Sequence, residues 1–352
     1  MTPLLGHETV PPGEAALIEK CVVQNLALLN EREKPVRRGQ HPKQHGCVRA
    51  EFIVENLDED LRHGLFAKPH TFDAVIRFSN GAATDDRRGD AHGMAIKLFD
   101  VPGKKLLEPC KTHDFVLLDH PVFFVRNVDD YIALFKAVLE AKNSMLPGLL
   151  FFLPHAWVEQ GLVFAKFLAT RPHELAILSA TLASLPHSPL AAQYWSTTAY
   201  KFGNTAARFT ARPNADSLPK LTGSNSPDKL RLALAEQLSQ REATFDFMAQ
   251  LQTDAEKMPI EDPTIEWDEK QSPWRKLAMI RIPRQKFDTP EIMEFSENLS
   301  FNPWRCIADH RPLGGINRAR KLIYDAISMR RHELNRVKVN EPAFKDYTKL
   351  QG

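Results

Sequence analysis

The order of strand-like and helix-like segments along the chain is the feature that most narrows its possible folds. Residues 46–120 consist of short runs rich in branched and aromatic residues, separated by turn clusters such as Ser79-Asn80-Gly81. Helical spacing takes over across residues 127–190, and strand-like runs return before a long final helix. The predicted strands cover 48–54, 72–78, 94–99, 114–118, 198–212 (two runs around Gly203-Asn204), 243–252 and 275–282, and the later predicted helices cover 227–241 and 316–334.

This grouping into blocks indicates an α+β fold, because a parallel α/β fold would alternate strands with helices. Consecutive strands of hairpin length favour an antiparallel sheet, and a sheet with this many strands is large enough to close into a barrel. The sequence contains no internal repeat and no low-complexity tract. We therefore expect a helical arm over residues 1–34 followed by a single domain over residues 35–352.

The N-terminal arm begins with a Pro-Pro turn and continues as an amphipathic helix from about Gly13 to Asn30. The apolar residues at helical spacing are Leu17, Ile18, Val22, Leu26 and Leu29. Such an arm packs either on a neighbouring subunit or on its own domain. The first arrangement, which favours a homodimer or a larger homo-oligomer, stays open together with the second.

Composition excludes several classes of partner. Lys and Arg number 46 against 44 Asp and Glu, so the formal net charge is only +2 and no long block of one sign occurs. This balance gives no reason to expect binding to nucleic acid or to an anionic membrane surface. The most apolar stretch, residues 145–168, is interrupted by prolines and charged residues, so the sequence predicts no transmembrane span.

The cysteines and the first residues bear on the cellular compartment. The chain has 4 cysteines, which lie far apart and form no CxxC pair, so neither a disulfide framework nor a zinc site is indicated. The opening residues lack the basic and apolar segments of a secretory signal. We expect a reduced, cytoplasmic setting.

The final predicted helix carries the first chemical signal. Arg320, Tyr324 and Arg331 are separated by four and seven residues, so their side chains share one helical face. A neighbouring guanidinium favours the phenolate form of tyrosine, and a phenolate is a recognised axial ligand of ferric haem iron. The ordinary alternative is a core tyrosine flanked by solvated arginines.

Six short stretches spread over residues 35–340 strengthen this signal through their order. They are Arg38–Lys43 (R-x-x-H-x-K), Arg77–Ser79 (RFS), Asp90–Lys97, His120–Arg126, Phe301–Pro303, and the helix residues Arg320, Tyr324, Arg331 and Asn335. The third is similar to D-P-R-G-F-A-V-K and the fourth to T-P-x-F-F-x-R-D. In this order they resemble the catalase-related haem protein family, above all its small catalase-related peroxidases, which are similar also to coral-type allene oxide synthase.

The resemblance implies a catalase-like antiparallel β-barrel of about eight strands with surrounding helices, and haem b held between the barrel and the last helix. Carried over position by position, it makes His41 the distal histidine above the iron. Tyr324 becomes the proximal iron ligand and Arg320 its charge partner. A histidine among 13 is more commonly a surface or core residue, so the assignment of His41 depends on the joint order of the motifs.

The resemblance also assigns the haem contacts. Arg38, Arg77 and Arg331 match the arginines that meet the two haem propionates, which need cationic partners when buried. Tyr131 stands where the family has a phenylalanine stacked on the haem. Ordinary interpretations exist here too: Arg38 belongs to a basic Arg-Arg pair, and Tyr131 at a helix start fits plain packing.

Two positions depart from the family pattern. Asp119 stands where catalases have an asparagine that donates to bound peroxide, and an ionised carboxylate cannot donate. We expect Asp119 to hydrogen-bond His41 or a water, or to have its pKa raised by burial. Gln40 stands before His41 where catalases have a small apolar residue, and in the allene-oxide-synthase relatives a polar residue here restrains the histidine. Both changes argue against an efficient catalase.

The expected activity is that of a haem peroxidase acting on hydrogen peroxide or organic hydroperoxides with a small organic reductant. In it His41 takes the peroxide proton and returns it to the departing oxygen. One alternative is a fatty acid hydroperoxide isomerase or lyase, motivated by Gln40 and by the apolar segment 148–167. A second is a non-catalytic haem carrier or sensor, motivated by Asp119. A third, outside haem altogether, is a lipid-binding β-barrel, which leaves the Arg320/Tyr324/Arg331 face unexplained. No separate NADPH-binding domain is indicated.

Overall fold

The computed structural model describes residues 4–107, 109–143, 169–215, 225–339 and 341–351. The strands are β1 (Gln44–Val54), β2 (His70–Asn80), β3 (His92–Leu98), β4 (His113–Leu118), β5 (Tyr194–Trp195), β6 (Tyr200–Phe202), β7 (Thr205–Pro213), β8 (Ala243–Leu251) and β9 (Arg275–Ile282). The helices are α1 (Glu14–Ala27), α2 (Val128–Asn143), α3 (Pro172–Leu182), α4 (Lys229–Gln240), α5 (Pro290–Asn298), α6 (Gly315–Asn335) and α7 (Phe344–Thr348).

Eight of these strands form a closed antiparallel ring. The order around it is β1, β2, β3, β4, β5, β7, β8 and β9, and β9 pairs back with β1. The two-residue strand β5 closes the ring, since Trp195 pairs with Leu118 of β4 on one side and with Thr210 of β7 on the other. The predicted α+β class and the predicted eight-stranded antiparallel barrel are confirmed.

The barrel interior is a packed aromatic core. Phe52, Phe115, Phe209 and Phe247 come from four different strands and are all at most 1% exposed. The ring centroids of Phe115 and Phe247 lie 4.8 Å apart, and those of Phe52 and Phe247 lie 5.0 Å apart. Burying each such ring contributes roughly 1.5–3 kcal/mol, so this core is a principal source of stability. A large planar cofactor therefore has to lie outside the barrel wall.

A second hydrophobic core lies between helices α1, α2 and α6. Ile18 and Cys21 of α1 pack with Phe123, Phe135 and Ile323, which belong to the α2 region and to α6. The arm helix, predicted over about 13–30, thus spans Glu14–Ala27 and packs on its own chain.

The start of α6 is fixed by the arm and by two adjacent glycines. Gly314 has a φ of 89°, a region that favours glycine, and a Cβ there would lie 2.6 Å from the carbonyl oxygen of Ile260. The backbone amides of Gly314 and Gly315 donate to the carboxylates of Glu8 (2.8 Å) and Glu261 (2.9 Å). Acidic groups at a helix N-terminus complement its dipole, so these contacts set where the helix begins.

A buried ionic group ties the barrel to the same helix. The Lys97 ammonium of β3 pairs with Asp114 of β4 (2.8 Å) and with Glu341 (2.6 Å). Asp114 accepts from the backbone amide of Asn302 (2.9 Å), whose side chain in turn donates to Asp325 of α6 (2.9 Å). Two of the motif residues, Lys97 and Asn302, therefore hold α6 in its place beside the barrel.

The predicted strands all occur, with ends shifted by a few residues, and the helices predicted over 227–241 and 316–334 span Lys229–Gln240 and Gly315–Asn335. Strand β5 and helices α5 and α7 were not predicted. The apolar segment 148–167 lies outside the described residues. Within the described ranges, no helix is both long enough and apolar enough to span a membrane.

Candidate functional site

The loop before β1 presents His41 on the face of strand β2. His41 has a positive φ of 57°, and its amide donates to the carbonyl oxygen of Gly81 (2.7 Å). Its carbonyl oxygen accepts from the Arg77 guanidinium (3.0 Å), and its ring Nδ1 lies 3.1 Å from the Ser79 hydroxyl oxygen. Arg77 and Ser79 are the ends of the RFS motif, so the motif acts by holding the loop and the ring.

Gly93 of β3 gives the His41 ring its space. A Cβ at this position would lie 2.8 Å from both Nδ1 and Cε1 of His41, and 3.1 Å from the Ser79 hydroxyl oxygen. Any side chain would therefore displace the ring. The glycine of the Asp90–Lys97 motif is explained by this close approach.

His41 is held in its neutral form. Burial, followed by the positive charge of Arg77, lowers the pKa of His41 to about 3. The ring Nε2 has no hydrogen-bond partner among the residues that the structure describes. A neutral imidazole with one free nitrogen, braced by a hydroxyl on the other, is suited to accept or donate one proton.

The Asp119 side chain faces the same region but does not hydrogen-bond His41. One carboxylate oxygen accepts from the backbone amide of His92 (2.6 Å), and the other lies 2.7 Å from the His92 ring Nδ1 and 2.7 Å from the Ser184 hydroxyl oxygen. Sequence analysis missed His92. The sequence did contain a signal for His92. This residue stands at the arginine position of the D-P-R-G pattern, and Asp119 stands at the position where catalases have an asparagine. Asp119, which departs from the family pattern, therefore contacts a further departure from it at His92.

Gln40 and Tyr131 belong to a polar cluster with the arm helix. The Gln40 amide donates to Asn25 (2.8 Å) and to the Tyr131 hydroxyl (3.1 Å), which itself donates to Asn25 (3.2 Å). Burial raises the pKa of Tyr131, which stays a neutral phenol and stacks against Phe135 with centroids 4.4 Å apart. Gln40 is therefore directed at helix α1 and not at the His41 ring. Asn25, fully buried, is a site residue that sequence analysis did not find.

Three buried arginines converge on one acidic residue. Arg38 and Arg331 both contact the Glu297 carboxylate, at 3.1 and 3.3 Å, and both donate to the carbonyl oxygen of Leu299. Arg77 lies close enough that the charges of Arg38 and Arg331, after the larger effect of burial, lower its pKa well below the usual value. The three predicted propionate arginines are thus brought together. Glu297 was not predicted.

This cluster carries more positive than negative charge. Its three guanidiniums face a single carboxylate, and the Nε atoms of Arg77 and Arg331 are buried with no hydrogen-bond partner among the described residues. Burial, together with repulsion from Arg38, lowers the pKa of Arg331 to about 9. Buried polar groups are nearly always satisfied, so this arrangement fits a site that receives further acidic groups.

Asn335, the last residue of the α6 motif, fixes the position of Arg38. Its side-chain oxygen accepts from the backbone amide of Val36 (2.7 Å), and its nitrogen donates to the carbonyl oxygen of Val36 (2.9 Å). The segment that carries Arg38 and His41 is therefore clamped to the helix that carries Tyr324 and Arg331. Side chains far apart in sequence gain a fixed relative position.

Tyr324 is half-buried on α6, and its predicted charge partner is bound elsewhere. Arg320 donates to Thr198 (3.1 Å) and Asn317 (3.3 Å), and its guanidinium lies 4.9 Å from the centroid of the Phe123 ring. Within the described part of the chain no hydrogen bond joins Arg320 to Tyr324.

Tyr200, which was not predicted, lies close to both Arg320 and Tyr324. Burial raises the pKa of Tyr200 to about 12. The charge of Arg320 has a smaller effect that lowers this pKa, and Tyr324 has a smaller effect that raises it. The Tyr200 hydroxyl is buried and makes no hydrogen bond of good geometry within the described residues.

Comparison with known proteins identifies the fold. No family model matches the chain, and no curated protein matches its sequence. Among solved structures, catalase A from Saccharomyces cerevisiae is similar with a TM-score of 0.67 at 20% identity, over 97% of this chain and 72% of that one. A fungal catalase (TM-score 0.65, 19% identity, 98% and 70% coverage) and a bacterial catalase (0.65, 16%, 97% and 71%) are similar to the same degree.

The architecture that these comparisons define is the catalase fold. At this level of identity they establish the barrel with its surrounding helices, and they leave the chemistry to the residues of the site.

Proposed function

We propose that this protein is a haem peroxidase that reduces hydrogen peroxide or organic hydroperoxides with a small organic reductant. The observation that carries the proposal is the arginine cluster, in which three buried guanidiniums face a single carboxylate. The resemblance to catalase-related proteins implies that these three positions meet the haem propionates, and the cluster's charge imbalance matches the two propionates of haem b.

The residues present fit haem. Arg38, Arg77 and Arg331 would hold the propionates, the unpartnered Nε atoms supplying two of the donors. Tyr324 on α6 would be the iron ligand, with Arg320 and Tyr200 close to it. The described residues contain no group of three His, Cys, Asp or Glu side chains able to hold a bare metal ion. When bound, haem supplies a redox-active iron that accepts two oxidising equivalents from a peroxide.

The chain's own contribution to the reaction is proton handling at His41. Because its pKa is about 3, the imidazole is neutral and its unpartnered Nε2 can take the proton of a hydroperoxide O–H group. Ser79 and Gly93 fix the ring so that the same proton can be returned to the departing oxygen. Over the full cycle the O–O bond is broken, an alcohol and water form, and two electrons and two protons come from the organic reductant.

Asp119 supports a peroxidase with weak catalase activity at most. Its two carboxylate oxygens are engaged by His92 and Ser184. An ionised carboxylate offers no proton to a bound peroxide, so the donor that catalases use at this position is missing from the side chain itself.

The main alternative loses one of its two supports, and the other, the apolar segment 148–167, lies outside the described residues. An isomerase or lyase of fatty acid hydroperoxides was suggested by Gln40, but the Gln40 amide contacts Asn25 and Tyr131 and does not restrain His41. The peroxidase proposal includes hydrogen peroxide or an organic hydroperoxide and a small organic reductant as partners, a cytoplasmic location and a homo-oligomer.

The proposal is tested by peroxide turnover of protein produced with haem supplied. Hydrogen peroxide, cumyl hydroperoxide and linoleic acid hydroperoxide are compared with a phenolic reductant present or absent. We expect reductant-dependent turnover, slowed about 10²–10⁴-fold in His41→Ala, as for loss of a general acid–base group. Gly93→Ala should act in the same direction, since its Cβ displaces the His41 ring.

His173→Gln on α3 is the matched control, because its ring contacts only the carbonyl oxygen of Thr264 among the described residues. Turnover of His41→Ala at the rate of the control would contradict the proposal. Reductant-independent conversion of the lipid hydroperoxide into a rearranged product would establish the isomerase instead.

A further inference from the structure

His92 and Asp119 are two buried residues near His41. They form a pair that has no role in the peroxidase reaction described above. Their side chains are 4% and 3% exposed, with the ring Nδ1 and the carboxylate oxygen 2.7 Å apart. The backbones are joined as well, since the Asp119 amide donates to the His92 carbonyl oxygen (3.0 Å) and the Asp119 carboxylate accepts from the His92 amide (2.6 Å). Three contacts to the carboxylate, from the His92 amide, the His92 ring and the Ser184 hydroxyl, leave it little freedom.

These contacts fix the tautomer of His92. Asp119 receives a backbone N–H and the Ser184 hydroxyl, which suits an ionised carboxylate that only accepts. The remaining short contact then requires a proton on Nδ1 of His92. Its Nε2 is left as the basic nitrogen, the same logic by which a carboxylate orients histidine in Ser-His-Asp enzymes.

His92 lies in the same region of the molecule as His41. A Cβ on Gly93, the next residue after His92, would lie 2.8 Å from the His41 ring, and the charges of Asp119 and His92 both act on the pKa of His41. His92 Nε2 has no hydrogen-bond partner among the described residues. The two neighbouring imidazoles therefore each keep one Nε2 without a hydrogen-bond partner among the described residues.

The electrostatic surroundings of the two rings differ. The charges of Arg77, His92 and Arg38 oppose a positive charge on the His41 ring, and Asp119 favours one without a hydrogen bond to that ring among the described residues. The His92 ring Nδ1 lies 2.7 Å from a carboxylate oxygen of Asp119, whereas the His41 ring Nδ1 faces the uncharged Ser79 hydroxyl at 3.1 Å. A proton taken up by His92 therefore has a negatively charged partner in direct contact with its ring, and a proton on His41 does not.

We propose that His92, oriented by Asp119, stores the peroxide proton between its removal by His41 and its return to the departing oxygen. This inference rests on the proposed function and assigns the Asp119 carboxylate the role of a positioning residue. In the step, the hydroperoxide O–H bond breaks as an N–H bond forms at His41 Nε2. That N–H bond then breaks as another forms at His92 Nε2, and the Asp119 carboxylate balances the new positive charge. The proton then returns to the oxygen that leaves when the O–O bond breaks.

The first test needs no cofactor. The full-length chain, labelled with ¹⁵N in its histidines, is studied by two-bond ¹⁵N–¹H correlation, and the His92 signals are assigned by their loss in His92→Gln. We expect His92 to carry its proton on Nδ1, and we expect Asp119→Asn to shift its titration to lower pH. An Nε2-protonated His92, or a titration unchanged in Asp119→Asn, would overturn the proposal.

The second test measures the rate of reaction with cumyl hydroperoxide in haem-loaded protein. We expect His92→Gln and Asp119→Asn each to lower this rate about 10- to 100-fold, the range for loss of one acid–base group. In the His92→Gln background, Asp119→Asn should add little, because the two residues act as one unit. Asp119→Glu, which keeps a carboxylate, should recover part of the rate, and His173→Gln is again the control.

Outcomes for this inference and for the proposed function are separable. If the wild type reacts and both variants react equally fast or faster, the proton store is overturned and the peroxidase remains. If the wild type binds no haem or reacts with no peroxide, both proposals fall. Circular dichroism of each variant, with His92→Asn as a second replacement, ensures that a lower rate is measured on folded protein.

Discussion

The barrel interior and the arginine cluster are both buried, yet the first consists of apolar side chains and the second of charged ones. Phe52, Phe115, Phe209 and Phe247 fill the barrel with side chains that need no partner other than each other. The cluster around Glu297 instead buries three guanidiniums whose charges repel and whose donors are incompletely used. Apolar burial stabilises the fold by itself, whereas buried like charges persist where something else binds them. Stability and function are thus assigned to separate regions of this molecule.

The largest expected effect comes from a cavity in the barrel core, which should change stability without changing haem binding. Replacing Phe115 with Ala should lower the free energy of unfolding by about 3–5 kcal/mol, as for other buried Phe→Ala changes. Urea unfolding of the haem-free protein measures this loss. Haem affinity per folded molecule should stay the same. An unchanged stability together with weakened haem binding would mean that the barrel and the site are not separate.

Acid should act on the barrel through His310. This histidine is fully buried among phenylalanines, and burial lowers its pKa to about 4. The unfolded chain therefore binds the proton first, so the stability contributed by neutral His310 is complete above pH ~6.5 and is lost as the pH falls toward ~4. We expect this contribution to fall by about 1.4 kcal/mol for each pH unit in that window.

The measurement is urea unfolding of the wild type and His310→Phe between pH 4 and pH 7. The stability difference between the two proteins should change across this range, with the variant losing less as the pH falls. Parallel curves would show that His310 is not held neutral by the barrel.

Removing one arginine should have opposite effects on stability and on binding. In Arg77→Met or Arg331→Met, the haem-free protein should be as stable as the wild type or more so, since a poorly compensated buried charge is gone. Haem affinity should fall about 10- to 100-fold, the loss of one charge-assisted contact to a carboxylate. Spectrophotometric haem titration and urea unfolding give the two numbers. A large loss of stability without haem would show that Glu297 alone compensates the cluster.

The smallest expected effect comes from the clamp between Asn335 and Val36. Asn335→Ala removes two hydrogen bonds at the part-buried Val36 backbone and should cost about 1–2 kcal/mol. Haem affinity should fall a few-fold, because the segment carrying Arg38 is released. Asn214→Ala, which loses a bond to Thr244 elsewhere, is the matched control and should leave haem affinity unchanged. Equal haem affinities in the two variants would contradict the role of the clamp.

The barrel could be predicted from sequence because its long strands carry their own signal. Alternating burial along β8 and the second half of β1, and the continuous buried run of β2, follow directly from the residues. Closure could not be predicted in this way, since β5 is only two residues long and is defined by its pairing with Leu118 and Thr210. Helix α5 was missed because its apolar residues are few and alternate with acidic ones.

The site residues likewise divide into those that carry a signal in the sequence and those that are defined by their partners in space. His41, Arg38, Arg77 and Arg331 belong to short motifs, and the last three are found together in space. Those missed are Asn25, Glu297 and Tyr200, which belong to no motif, and His92, which lies in the Asp90–Lys97 motif but differs from its pattern. Their significance depends on partners distant in the chain, such as the Asn25–Gln40 contact. Only His92 could have been noticed from the sequence, because it and Asp119 both differ from the family pattern, one within the Asp90–Lys97 motif and the other directly before the His120–Arg126 motif.

The central claim, that this fold holds haem through Tyr324, is tested most directly by haem titration followed by absorption spectroscopy. Wild type, Tyr324→Phe and Tyr194→Phe are titrated with ferric haem. Tyr194→Phe is the control because the Tyr194 hydroxyl hydrogen-bonds only the Pro189 carbonyl oxygen among the described residues. The account predicts a high-spin ferric Soret band in the wild type and the control, and its loss or shift in Tyr324→Phe. Identical spectra for the wild type and Tyr324→Phe, or no haem uptake by the wild type, would contradict it.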